Sequence, residues 1–256
     1  MLHGRLSGPG AEVVTVRRFD SIPYGWYAPT TMSSQLPLAF DEHGLLPVVV
    51  QDRLTGEIRM LAFATSEAIM RTLETGRATF WIRSRGELWE KGQTSGNQVR
   101  VANVLVDCDA DCAIYSSEPY GNSCHTGAQS CFFQALDASG EKLISASDRP
   151  QTVLATLENV LEARKSSNEA ASYTKSLYAA GAPGIGAKIK EEALEVASAL
   201  ETESDERVVS EAADLLYHLL VGLRWRSIPV RRVFAELARR LGVSGHAEKT
   251  ARSNAQ

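Results

Sequence analysis

The sequence predicts an α+β domain followed by an all-α domain. Three observations carry this. Between residues 45 and 136, short apolar and β-branched runs alternate with turn residues around one helical interval. Residues 145–151 then form a polar break containing Pro150. Beyond that break, every apolar repeat has helical spacing. A chain of 256 residues is long enough to bury two modest cores. The expected organisation is an extension at 1–31, an α+β domain at 32–144, a linker at 145–152, a helical domain at 153–243 and a tail at 244–256.

The elements follow in order. Residues 46–50 are β-branched, Thr55-Gly56 supplies a turn, and residues 58–63 return, which predicts a hairpin. Thr65-Ser66-Glu67 has the residues of a helix start, and Gly76 those of its stop. Further strands are expected at 78–83, 88–91, 99–106 and 113–116, and residues 131–136 are the last apolar stretch before Asp137-Ala138-Ser139-Gly140. Helices are expected from Thr152 to Lys165, over 187–200, over 205–225 and from Pro229 to Leu241. In the third, Val209, Ala212, Ala213, Leu216, Leu219, Leu220 and Leu223 form a stripe expected to be buried. Residues 1–31 carry Gly and Pro punctuation without a sustained period, so a poorly structured extension is expected there, with Met32 a candidate start.

Composition narrows the function. A net charge of -4 offers no electrostatic footprint for nucleic acid or an anionic membrane. No apolar run approaches the ~20 residues that span a bilayer, and nothing resembles a secretory signal. Four cysteines are too few for a disulfide framework in a chain of this length, so thiol chemistry or metal is the better expectation, in the cytoplasm.

Chemistry concentrates in Asp107-Cys108-Asp109-Ala110-Asp111. If the segment is extended, its side chains alternate: Asp107, Asp109 and Asp111 face one way and Cys108 the other. Three carboxylates on one face suit a hard cation such as magnesium, although an acidic solvated loop has the same composition. An EF-hand-like loop matches poorly, because Cys112 stands where Gly is required. Cys108 is left for a softer ion, and Cys124 and Cys131 complete a thiolate set for zinc. Along a strand, Cys112 would lie about 13 Å from Cys108, too far to share an ion unless the chain turns sharply. Three ligands leave a position open for water, the mark of a catalytic zinc. His125 can then act as general base, as a fourth ligand or as a structural residue; the first is favoured.

The motifs Gly44-Leu45-Leu46-Pro47, Phe80-Trp81-Ile82-Arg83-Ser84-Arg85-Gly86-Glu87-Leu88-Trp89, Lys91-Gly92-Gln93-Thr94-Ser95-Gly96-Asn97 and Cys124-His125-Thr126-Gly127-Ala128-Gln129-Ser130-Cys131-Phe132 make residues 44–136 resemble phosphoribosyl-AMP cyclohydrolase. The resemblance implies zinc on Cys108, Cys124 and Cys131, magnesium on Asp107, Asp109 and Asp111, and a homodimer whose zinc ligands come from both subunits. It implies opening of the adenine ring between N1 and C6, for which zinc would lower the pKa of a bound water to about 7. Trp81, Arg85, Lys91, Ser95 and Asn97 are the candidate nucleotide contacts, Arg85 and Lys91 for phosphate. Ile82 replaces a usual Ser, and Cys112 is extra.

In the second half, Glu191, Glu192 and Glu195 share one helical turn, and Glu211, Asp214 and His218 follow at spacings of three and four. Acidic helix faces are usually solvated. These lie beside a strongly apolar stretch, where charge needs a partner or a metal. A di-iron centre requires Glu-x-x-His pairs that do not occur, which leaves magnesium. With Ser172-Tyr173-Thr174, Gly181 and the segment Lys188 to Val196, residues 153–242 resemble phosphoribosyl-ATP pyrophosphohydrolase, a helical fold related to the MazG-like enzymes. The resemblance implies that Glu192, Glu195, Glu211 and Asp214 hold magnesium and are catalytic, with Lys188 contacting the nucleotide. Pro183-Gly184-Ile185-Gly186 and Lys190 depart from the family pattern at the start of that helix.

The two implied reactions are consecutive steps of histidine biosynthesis, so small nucleotides are the expected partners. Two rivals remain open. One is a general nucleotide pyrophosphohydrolase with a zinc accessory domain; the other is a zinc-stapled interaction module with a helical dimerisation tail, which predicts a fourth zinc ligand.

Overall fold

A computed structural model describes residues 16–18, 27–29, 36–119, 121–146, 150–166 and 172–241. The tail at 244–256, position 32 and the middle of the linker lie outside these residues. The segment expected to lack structure contains two short strands, β1 (Val16–Arg18) and β2 (Tyr27–Pro29), paired antiparallel. That expectation is corrected there, because pairing three residues on each side needs no apolar period to announce it.

The chain forms two compact units: residues 1–51 with 60–129, and residues 52–59 with 130–256. The first is built on a six-stranded sheet in the order β6-β5-β4-β3-β8-β7. Its strands are β3 (Leu46–Asp52), β4 (Ile58–Ala64), β5 (Thr79–Ile82), β6 (Glu87–Glu90), β7 (Val99–Val106) and β8 (Ala113–Pro119). Alternate residues of β3 are buried, the period-two pattern of a strand with one face on a core. The sheet curls until the Ala78 N–H, ahead of β5, donates to Val99 O on the opposite edge strand. Helix α1 (Ser66–Thr75) begins at Thr65, whose side chain accepts from the Ala68 N–H, and ends at Gly76, which adopts φ +68°. Leu46, Val48, Val50, Ile69, Phe80 and Val99 fill the core, and the buried Tyr115 hydroxyl donates to Thr79 O.

The second unit holds the β9–β10 hairpin (Gln134–Leu136, Leu143–Ser145) and four helices: α2 (Val153–Ser166), α3 (Tyr173–Thr202), α4 (Asp205–Trp225) and α5 (Val230–Arg240). Strand β10 was not anticipated: it lies between the last expected apolar stretch at 131–136 and the expected linker from 145. The turn at 52–59 belongs to this unit: Ile58 N–H donates to Pro150 O, Thr152 N–H to Thr55 O, and Arg231 Nε pairs with Asp52 at 3.2 Å.

Helix α3 begins fourteen residues before the expected 187, because one element contains two limbs joined by a kink (187 − 173 = 14). At the kink Gly181 adopts φ 63°, ψ -162°, a conformation essentially reserved for glycine. Pro183 then sits in the first turn of the second limb, where no N–H is needed. Leu161, Leu177, Ile185, Leu220, Val221 and Val230 form the core of this unit. The α4 stripe is only partly inside it. Leu220 is buried, but Val209, Leu216 and Leu219 are exposed, as are Leu194 and Leu200 on α3, so periodicity overstated burial within one chain. No described helix is long and apolar enough to cross a membrane.

Phe80 has no solvent exposure and packs against Trp89 and Tyr115, with ring centroids at 6.0 and 5.4 Å. Phe80→Ala is expected to destabilise the sheet unit by about 3–5 kcal/mol in chemical denaturation, through lost transfer energy and a residual cavity.

Candidate metal centres

Among the described residues, two groups of three carboxylates converge so that their ligand atoms lie within 4.8 Å of one another. The first is Asp107, Asp109 and Asp111, all exposed. It does not arise from an extended strand. Residues 107–112 form the turn between β7 and β8, closed by the Asp107 N–H to Cys112 O bond at 3.2 Å, with Ala110 at φ 64°. The premise of alternating faces is therefore corrected: the carboxylates gather because the chain reverses. The separation argument that set Cys112 apart loses its basis with it.

Desolvation pushes the Asp107 carboxyl up, but the Cys112 N–H at 3.1 Å and hydrogen bonds with Asp111 and Asp109 outweigh it and hold it below its ordinary value. Asp111 moves the other way, raised by the hydrogen bond it shares with Asp107 and by the charges of Asp109 and Asp107. Converged hard oxygen donors of this kind suit a hard divalent cation.

None of the cysteines is in a disulfide: Cys108 and Cys131 are exposed, and Cys124 is buried. Cys124 sits in a tight loop in which its N–H donates to Ala128 O and Gly127 N–H returns to its carbonyl. Thr126 Oγ1 donates to Cys124 Sγ at 3.1 Å, and the exposed His125 has Nδ1 4.0 Å from the same sulfur. In the other unit, Cys131 N–H donates to Arg59 O, while Ser130 Oγ donates to Ile58 O at 2.7 Å. Burial, then the charges of Asp107 and Asp111, push the Cys112 thiol up, away from the thiolate a metal needs. Three cysteine thiols are the right donor chemistry for zinc.

Of the expected nucleotide contacts, Trp81 is half-buried on β5 opposite Phe63 and Leu88, and Arg85 is exposed with Glu87 at 3.3 Å. Lys91 is buried with Nζ 5.6 Å from the Trp89 ring. Ser95 Oγ accepts from the Asn97 N–H. A side chain at Gly92, which has φ +87°, would fall 2.5 Å from the Asn97 carbonyl, so this approach requires glycine.

The second group joins Glu192 and Glu195 of α3 to Glu211 of α4. Glu192 is 5% exposed and Glu211 4%. Asp214 is not part of the group: it is exposed on α4, and it is its backbone carbonyl that takes a hydrogen bond from the His218 ring. Of the expected four carboxylates, Glu192, Glu195 and Glu211 are the three that converge among the described residues.

Two cations stand against these acids. Lys188 Nζ lies 2.9 Å from Glu191 and 3.0 Å from Glu192, and Arg207 pairs with both Glu211 and Glu203. Arg207 was not foreseen, although its i,i+4 spacing to Glu211 is visible in the sequence. The hydrogen bond with Glu211, desolvation and the charges of Glu192, Glu211 and Glu191 raise the Glu195 carboxyl. Buried carboxylates crowded to this degree, with one forced toward protonation, fit a magnesium ion.

Two groups of converged carboxylates and a set of cysteine thiols are the donor chemistry of a metal-dependent hydrolase type. Comparison with known proteins gives the particulars. Residues 60–133 match the phosphoribosyl-AMP cyclohydrolase family and residues 154–241 the phosphoribosyl-ATP pyrophosphohydrolase family. The chain is 42% identical over 220 residues to the histidine biosynthesis bifunctional protein HisIE of Wolinella succinogenes, covering 84% of this chain and 96% of that one. It is 44% identical over 206 residues to the protein of the same name from Aquifex aeolicus, covering 80% and 98%. The chain belongs to this family of bifunctional hydrolases, in which a cyclohydrolase is fused to a pyrophosphohydrolase.

A pH dependence follows from Glu195. A carboxyl whose folded pKa is raised contributes stability at low pH that is lost as pH rises through the raised value. In metal-free buffer the melting temperature should fall over that interval, above the ordinary glutamate range. Magnesium should restore it, most strongly at the upper end, and Glu195→Gln should flatten the metal-free dependence. Thermal melts with EDTA or magnesium across pH 4–8 read this directly.

Proposed function

We propose that residues 153–243 hydrolyse phosphoribosyl-ATP to phosphoribosyl-AMP and pyrophosphate, and that residues 32–144 open the adenine ring of that product between N1 and C6. These are steps two and three of histidine biosynthesis. The convergence of buried Glu192 and Glu211 with Glu195 is the observation that supports this most directly. An acidic pocket on paired helices cannot by itself bind a polyanion, but it can bind the cation that a triphosphate carries.

In the helical half, Glu192, Glu195 and Glu211 would hold magnesium, with Asp214 joining them from the same face of α4 as substrate binds. Magnesium there would neutralise the triphosphate and activate water. Lys188, now paired with Glu191 and Glu192, would turn to a phosphate once the metal takes over their charge. The MazG-like relationship is part of this proposal.

In the sheet half, Cys108, Cys124 and Cys131 would hold zinc, and Asp107, Asp109 and Asp111 magnesium. Zinc would supply a water of lowered pKa. His125, beside Cys124, would accept the proton of the attacking water, and Trp81, Arg85, Lys91, Ser95 and Asn97 would bind the nucleotide. A homodimer that draws zinc ligands from both copies is part of this proposal. Exposed Leu194, Leu200, Val209, Leu216 and Leu219 supply an apolar surface for the same assembly. The cytoplasm is the proposed location, where thiols stay reduced.

Feeding phosphoribosyl-ATP and following pyrophosphate and ring opening separately tests the assignment. Cys108→Ala should lose zinc and at least a hundredfold in ring opening while pyrophosphate release stays within twofold, on the scale of losing a catalytic metal. Glu192→Gln should do the reverse when phosphoribosyl-AMP is supplied. A Cys108→Ala protein that still opens the ring would refute the zinc assignment. Leu216→Glu should shift the chain toward monomer in sedimentation velocity.

A further inference from the structure

His218 has no part in the chemistry described above, yet it is 4% exposed and both its ring nitrogens are engaged. Nδ1 lies 2.8 Å from the Asp214 backbone carbonyl, which can only accept, so Nδ1 carries a hydrogen. Nε2 lies 2.8 Å from Tyr173 Oη, so the ring and the phenol share a hydrogen bond. Desolvation pushes the Tyr173 phenol up, which keeps its hydrogen in place. The imidazole is thus fixed in orientation from two sides. Its Nδ1–H edge lies 3.6 Å from Glu192 Oε1, too long for a hydrogen bond but close enough for the N–H dipole to attract a carboxylate.

The ring reaches this place by way of two separate elements. Tyr173 is on the first limb of α3 and Glu192 on the second, and the bend at Gly181 lets both approach α4. Behind Tyr173, Thr174 is fully buried; it shares a 2.8 Å hydrogen bond with Tyr217 and accepts one from Arg164 at 3.2 Å. The Tyr173 and Tyr217 rings stack at 6.4 Å, and each meets His218 edge-on. A leucine would fill the same space without needing any polar partner. The chain instead buries a ring that needs two, on the one side where it faces a carboxylate of the acidic group.

We propose that His218, held by Tyr173, is a positioning residue of the pyrophosphohydrolase centre: it fixes the Glu192 carboxylate in the orientation that receives the metal. This rests on the assignment of Glu192 as a magnesium ligand. Orienting partners behind metal ligands typically change affinity 10–100-fold when removed. The carboxylates are individually flexible and mutually repulsive, so a fixed polar wall behind one of them prepares the site before the ion arrives. Tyr173 links that preparation to the first limb of α3.

The test uses the full chain and manganese alone, followed by electron paramagnetic resonance, together with the magnesium dependence of pyrophosphate release. The Glu192→Gln chain defines the binding that remains without this centre. His218→Leu should weaken the ions lost in Glu192→Gln by about 10–100-fold and raise the magnesium needed for half-maximal rate equally, with the rate at saturating metal largely recovered. His218→Asn, which restores an N–H near Nδ1, should regain most of the affinity. Tyr173→Phe should weaken it by about three- to tenfold, having freed the ring at Nε2 only. Far-ultraviolet circular dichroism and thermal melting of the same chains report whether the helices stay folded. If His218→Leu does not stay folded, Tyr173→Phe decides, because its side chain is half exposed and its ring is retained. Affinities within twofold of the unaltered chain in His218→Leu and Tyr173→Phe would overturn the proposal. Glu192→Gln binding as many ions as the unaltered chain would overturn the metal assignment beneath it instead.

Discussion

Two carboxylates withdrawn from water beside a third impose the strictest condition on the helical half. An isolated buried charge costs several kcal/mol, and like charges add to it. Glu192 and Glu211 meet that condition through Lys188 and Arg207, each one helical turn away, while crowding raises the Glu195 carboxyl. The bend at Gly181 and the apposition of α3 and α4 bring these groups together.

The sheet half meets a related condition differently. Its acidic group is exposed and lies in a turn between antiparallel strands, where water screens repulsion. The Asp107 and Asp111 carboxyls, in hydrogen-bond contact, shift in opposite directions there. Its thiols are distributed over both compact units, with Cys131 held by backbone and Ser130 hydrogen bonds to the β4 segment and Cys124 by its own loop. One centre is therefore gathered by local chain reversal, the other by long-range helix packing.

This contrast explains what could be read in advance. Strands β3 to β8, helix α1 with its Thr65 and Gly76 caps, and helices α2, α4 and α5 were legible because period, caps and turn residues act over a few positions. The acidic triad at 107–111 was legible as composition but misjudged as geometry: nothing local separates an extended strand from a tight hairpin until Ala110 is seen at positive φ. The early start of α3 was hidden for a similar reason. Pro and Gly at 183–186 look like helix breakers, and only the kink shows that they open a second limb. Val209, Leu216 and Leu219 fit the helical period without being buried, because period identifies a face and not what covers it.

By itself, the sequence determined the two-part organisation and the identity of the acidic and thiol groups, which depend on residue type and spacing along the chain, while its resemblance to two families implied the pair of activities. The tertiary structure decided which carboxylates meet. Glu192, Glu195 and Glu211 converge while Asp214 turns its backbone to His218, and Lys188 and Arg207 occupy the charge. It also decided that Tyr173, His218 and Glu192, remote in sequence, form one line of contacts. Such relations are set by how two helices cross and where one of them bends, and spacing within either helix cannot encode them.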